Sequence, residues 1–189
     1  PAHHPPAPVA PPPVLDPGGA GAVGRCAPRL AMQGGPPVLA TVQRETQEAA
    51  AEVAGAHHVL RANEELTERV AALAPEGVDH IVEVAFAANI ANDEKMLKLG
   101  GSIGAYASNA ADATIPFWLL VFKNVRVFFL GSDDFPLEAK QSAAADLTEA
   151  IREGPLGLPV GARFTLDEID QAHEYVEERK GPGRVVVTL

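Results

Sequence analysis

Gly19, Gly21 and Gly24, at the spacing G-x-G-x-x-G, are the first residues here whose types and placement could do chemistry. The first glycine permits a tight turn and the second lets main chain approach a pyrophosphate. The third lets a following helix pack so closely that its N-terminal amides face the phosphates. In a stretch this rich in alanine and glycine the spacing arises readily by chance. It therefore needs a strand before it, a helix after it and a second strand beyond. Asp16-Pro17 shortens the preceding strand, and Pro28 falls inside the helix that should begin at Ala22. A proline there removes a hydrogen bond at a cost of roughly 3 kcal/mol. Gly34-Gly35-Pro36-Pro37 is an unusual approach to a strand, so the first 37 residues read as irregular beside the rest.

Other reactive side chains group less well. Asp133 and Asp134 are neighbours on a loop, where carboxylates point apart, and read as the start of a helix rather than an acid/base pair. His57, His58, His80 and His173 are scattered without metal-ligand spacing, and His3-His4 lies in a tail that offers weak ligation. Cys26, the single cysteine, excludes an internal disulfide and reads as a packed side chain.

The elements that must position these residues alternate. Short β-rich runs at 38–42, 57–60, 78–85, 102–106 and 125–130 are separated by helical stretches at 46–54, 63–73 and 92–99, the last ended by Gly100-Gly101. Asn63 is the expected cap of the second helix. A long amphipathic helix follows over 137–152. This alternation is the pattern of a parallel sheet with crossover helices. The end differs in kind: a strand at 159–164, a helix at 166–178 and, after Gly181-Pro182-Gly183, a closing strand at 184–189 that returns to another sheet. Residues 1–13, almost wholly Pro, Ala and His, offer no periodic apolar face and are set outside the fold as a disordered tail.

Composition narrows the functional classes. The 25 acidic against 15 basic side chains leave a formal charge of -10, which repels phosphate backbones and anionic membrane surfaces, so nucleic acid is not an expected partner. The longest apolar run, 115–130, is broken by Pro116, Lys123, Asn124 and Arg126, and no membrane span is expected. A lone cysteine fits a reducing, cytoplasmic setting.

Read together, several segments resemble the cofactor domain of medium-chain dehydrogenases/reductases, in the zinc-independent quinone oxidoreductase branch. They are Val38-Leu39-Ala40-Thr41-Val42, Ala54-Gly55-Ala56-His57-His58-Val59, Gly77-Val78-Asp79-His80-Ile81-Val82-Glu83-Val84 and Leu99-Gly100-Gly101-Ser102-Ile103-Gly104. The closing stretches 164–174 and 183–189 look like that family's usual carboxyl end. The family's amino-terminal catalytic domain has no counterpart in the sequence. The resemblance implies an α/β fold: a Rossmann-type doubly wound parallel sheet over 14–154, with a small carboxyl-terminal remnant of the catalytic domain over 155–189.

By the same resemblance Ala20, Gly21, Ala22 and Val23 would hold the pyrophosphate. The position that is acidic in NAD-specific relatives is Val42, followed by Gln43 and Arg44. With no carboxylate to grip a ribose 2′-hydroxyl and Arg44 able to pair with a 2′-phosphate, NADPH is the expected cofactor. Asn89 would approach it after the fourth strand. Tyr106, Ala107, Ser108 and Asn109, with Leu130, Gly131 and Ser132, would lie beside the nicotinamide. No metal site is expected, and no residue stands out as a general acid, so no catalytic side chain is assigned. The aromatic residues Phe117, Trp118, Phe122, Phe128 and Phe129 could stack a quinone. A core and subunit-contact role is preferred, with the strand at 125–130 pairing across a homodimer.

The expected activity is hydride transfer from NADPH to a small-molecule quinone or enone. The alternative is a truncated, non-catalytic nucleotide-binding or dimerisation module.

Overall fold

The computed structural model describes residues 13–154, 158–178, 180–181 and 183–189. Six strands, β1 (Val14–Asp16), β2 (Val38–Val42), β3 (His58–Arg61), β4 (Val78–Glu83), β5 (Leu97–Ala105) and β6 (Arg126–Phe129), form one parallel sheet. Its order is β3-β2-β1-β4-β5-β6, which puts the switch in winding direction at β1 and β4. The helices are α1 (Ala22–Gly34), α2 (Glu48–Val53), α3 (Leu66–Leu73), α4 (Phe86–Met96), α5 (Phe117–Phe122), α6 (Leu137–Glu153) and α7 (Ile169–Glu177). Strands β7 (Val160–Thr165) and β8 (Arg184–Thr188) pair in parallel as a separate two-stranded sheet, the return expected from the closing segment.

Side-chain alternation along the strands builds two cores. Leu15, Leu39, Ile81 and Ile103 face one side, where Phe86 and Ile90 of α4 and Val70 of α3 cover them. Ala40 and Val42 face the other with Ala51 of α2. Every residue of β2 is buried, as a strand covered on both faces must be.

Several elements depart from the sequence expectation. The helix placed at 92–99 spans Phe86–Met96 instead. Its inward stripe, Phe86, Ile90 and Asp93, has helical spacing but includes a buried carboxyl, which hides it from an apolar pattern. Gly100 and Gly101 do not stop a helix. They lie within β5, where the register against β4 slips between Val78–Leu97 and His80–Ser102, and the irregularity holds Gly100 at φ +73°. Helix α1 continues through position 28 despite the proline. Helix α5 lies inside the apolar run 115–130, where no helix was expected. Asn63 Oδ1 accepts from the Glu65 N–H in an Asx turn ahead of α3, whose N-cap is Glu65 rather than the expected Asn63. The tail expected over 1–13 lies outside the described residues except for Pro13, whose carbonyl accepts from the Asp79 N–H and so belongs to the sheet.

Candidate functional site

The glycine turn links β1 to α1. Asp16 ends the strand, its Oδ1 accepts the Gly18 N–H at 3.0 Å, and the Gly21 N–H donates to the Gly18 carbonyl at 2.7 Å. Gly24 lies in the first turn of α1, where an added Cβ would collide with the Gly18 carbonyl. Only glycine lets the helix start this close to the turn, which is the third role assigned from the spacing. The cradle therefore has the form that a phosphate-bearing dinucleotide requires, despite Pro17 and Pro28.

A cleft of about 410 Å³ opens over this turn. Its walls include Gly18, Ala20, Gly21 and Val23 from the turn, Thr41, Val42 and Gln43 from the end of β2, Gln47 and Arg184. A second, about 660 Å³, lies over the ends of β5 and β6. It is lined by Phe86, Tyr106, Ala107, Ser108, Leu130 and Gly131 among others, with Asp112 the one charged side chain among the described residues that line it. Tyr106 lines both clefts, so together they follow the carboxyl ends of β2, β1, β4, β5 and β6.

The expected site residues divide on this geometry. Ala20, Gly21, Val23 and Gln43 meet in the first cleft, Ala107, Ser108, Leu130 and Gly131 in the second, and Tyr106 joins them. Ala22 opens α1. Arg44, Asn109 and Ser132 are exposed and line neither cleft. Asn89 turns inward, its Nδ2 donating to Glu83 Oε1 at 3.0 Å. Sequence reasoning missed Arg184, which starts β8 and reaches the first cleft from far along the chain. It also missed Gln47, whose Oε1 accepts both the Gln43 and Arg44 N–H groups, at 3.1 and 2.9 Å, and so closes the turn after β2. Neither was legible: three residues before Gln47 stands Arg44 rather than a Ser, Thr, Asp or Asn cap, and the reach of Arg184 is not local.

Beneath the clefts sits a group of buried carboxyls: Asp16 from β1, Glu83 from β4 and Asp93 from α4. Glu83 Oε1 also takes the Ala85 N–H in a short hydrogen bond, and Asp93 shares a hydrogen bond with Glu83. Burial pushes Asp16 up to about 7, against the lowering effect of the Gly18 N–H and with a further rise from Glu83. Burial, then the charge and hydrogen bond of Glu83, hold Asp93 well above the usual carboxylate range. Burial and these acids raise Tyr106 to about 12, so its hydroxyl keeps its proton. Burial also raises the Cys26 thiol, the opposite of an activated nucleophile. His80 Nδ1 lies 2.8 Å from Ser102 Oγ across β4 and β5, a structural pair within the sheet.

Among the described residues no three His, Cys, Asp or Glu side chains group as metal ligands. No described helix is long and apolar enough to cross a membrane.

Comparison with known proteins agrees with this geometry. A quinone oxidoreductase from Lama guanicoe is 27% identical over 183 residues, covering 93% of this chain and 54% of that protein. The rat quinone oxidoreductase is 26% identical, with the same coverage. The chain thus spans about half the length of the curated relatives it matches. A solved mycobacterial quinone oxidoreductase superposes with a TM-score of 0.83 at 26% identity, covering 95% of this chain and 57% of that one. A mycobacterial structure in complex with NADPH superposes at 0.80 and 26% identity, covering 97% and 58%. The sequence profile of zinc-binding dehydrogenases matches residues 54–187, and the chain belongs to that family.

Proposed function

We propose that this chain is the cofactor-binding part of an NADPH-dependent, quinone reductase-type oxidoreductase that works without zinc. The observation carrying this reading is the glycine turn at the end of β1. It opens a cleft that runs past Tyr106 to a second, largely apolar cleft. The pyrophosphate would lie on Ala20, Gly21, Ala22 and Val23, where main-chain N–H groups and the start of α1 face it and Arg184 supplies a cation. The adenosine ribose would lie at the end of β2, where Val42, Gln43 and Gln47 put no carboxylate in the lining, and Arg44 and Arg61 stand nearby. The nicotinamide would lie against Tyr106, Ala107, Ser108, Leu130 and Gly131. Bound NADPH supplies the hydride. The chain's own residues bind and orient it, and the apolar walls made by Phe86, Ile115 and Phe129 keep water from the reacting face.

Residues 14–154 form the cofactor domain in this reading, and 155–189 the returning segment of a substrate domain. The acceptor is a small quinone or enone. Two copies pair through β6, the edge of the sheet, where Phe128 is 50% exposed. A second reading is a nucleotide-binding or dimerisation module without turnover, since no described residue lining either cleft stands out as a general acid. Calorimetric titration with NADPH and NADH, followed by single-turnover mixing with a small quinone, separates the two. Tight NADPH binding with oxidation supports the enzyme, binding without oxidation supports the module, and no binding of either nucleotide rejects both.

A further inference from the structure

Three carboxyls group under the glycine turn, and each keeps one buried oxygen that no N–H or hydroxyl reaches, Asp16 Oδ2, Glu83 Oε2 and Asp93 Oδ2, with Asp93 and Glu83 paired carboxyl to carboxyl. Asp16 and Glu83 are wholly buried and Asp93 is 1% exposed. None of the three takes part in an ion pair among the described residues. The groups facing them are the Gly18 and Ala85 N–H groups, the Asn89 amide and the Tyr106 hydroxyl, all neutral; Glu94, also on α4, pairs instead with Lys123. Three ionised acids buried together with no ion-pair partner among the described residues are not tenable, so the group must hold at least one proton.

Asp16 differs from the other two in its position. Its Oδ1 fixes the Gly18 N–H, and Gly18 in turn accepts from Gly21. A negative charge on Asp16 would sit directly under the turn that must receive another anion.

We infer that Asp16 is a positioning residue that shapes the phosphate-binding turn in its protonated form and links dinucleotide binding to uptake of a proton. This rests on the dinucleotide reading above. The pyrophosphate carries two negative charges, so binding favours the neutral form of Asp16, and affinity falls as rising pH ionises the free protein. The rise of Asp16 to about 7 places this change near neutrality. Asn at the same place keeps an oxygen for the Gly18 N–H but has no proton to gain.

The test is calorimetry of NADPH and NADH binding from pH 6 to 8.5, in buffers of different ionisation enthalpy, on the wild-type chain, Asp16→Asn and Asp16→Ala. NADH is the control for the 2′-phosphate, which titrates on its own near pH 6. In the wild type both nucleotides should bind with fractional proton uptake and weaken roughly tenfold per pH unit above neutrality, the limit for one linked proton. Asp16→Asn should bind with a flat profile and no uptake, and Asp16→Ala should weaken both nucleotides at every pH. A purely structural residue would leave the profile of Asp16→Asn like that of the wild type. That result, or wild-type binding of NADH without proton uptake, overturns the inference while leaving the dinucleotide reading standing. Failure of the wild type to bind either nucleotide overturns both.

Discussion

Asn89, one turn into α4, donates from Nδ2 to Glu83 Oε1 at the end of β4, and this bond turns the amide away from both clefts. The same carboxylate oxygen receives the Ala85 N–H, so Glu83 ties the strand to the helix that follows it. Asn89→Ala should therefore act on stability. Loss of one donor to a buried carboxyl predicts a fall of about 1–3 kcal/mol in urea unfolding. NADPH affinity should stay within about threefold by calorimetry, because the side chain lines neither cleft.

The buried acids set the pH dependence of stability. Asp16 is raised in the folded protein from 3.8 to about 7, and Asp93 is raised as well. Between the unfolded and folded values the native state binds more protons than the unfolded chain, so stability is full below about pH 4 for these groups. It falls as pH rises towards 7 and beyond. The slope approaches roughly 1.4 kcal/mol per pH unit for each group. Urea midpoints at pH 5, 6, 7 and 8 should decline, and Asp16→Asn should decline less steeply than the wild type. Equal slopes in the two proteins would show that Asp16 does not carry the effect.

The two arginines near the cleft should separate by nucleotide. Arg184 lines the glycine-turn cleft, where the pyrophosphate common to NADPH and NADH would lie. Arg184→Ala should weaken both by roughly tenfold or more, the scale of a lost charge-assisted hydrogen bond. Arg44 lies past the end of β2, and Arg44→Ala should weaken NADPH alone, if it reaches the 2′-phosphate from outside the cleft. Matched losses of both nucleotides in Arg44→Ala would remove it from the 2′-phosphate site.

Strand β6 tests the pairing of two copies. Phe128→Lys places a charge on the sheet edge without touching Phe129, which packs edge-on against Phe86 at 5.2 Å and lines the second cleft. Sedimentation should show a dimer for the wild type and a monomer for the variant, with NADPH affinity preserved in both. A monomeric wild type would end this assignment.

The fold was legible wherever one physical signal dominated. Val38–Val42 stands as written because a strand buried on both faces is a continuous apolar run. The glycine spacing placed the turn despite its prolines, since the close approach of Gly24 to Gly18 leaves little choice of residue. Helix α4 was misplaced because its buried face carries Asp93, and burial of an acid has no sequence signature without its partner Glu83. The Gly100-Gly101 pair looked like a helix stop because a bulge and a C-cap demand the same backbone freedom. Arg184 was missed for a different reason. Its place in the cleft depends on the path of the closing segment across the molecule, which no local pattern encodes.

The shortness of β1 has a dynamic consequence. Among the described residues, Val14 and Leu15 pair across to β4 at His80 and Ile81, with Pro13 accepting from Asp79 beside them, so the two halves of the sheet are joined there along a narrow seam. β4 and β5 share a longer ladder, from Val78–Leu97 to Glu83–Ala105. Amide exchange should reveal two cooperative units, with β4 to β6 the more protected and the β1 amides released first. Opening that seam would wet Asp16, and an acid that ionises on contact with water resists being buried again. The breathing of the sheet should therefore grow more frequent in alkaline solution, with Asp16 acting as a wedge that water sets in place.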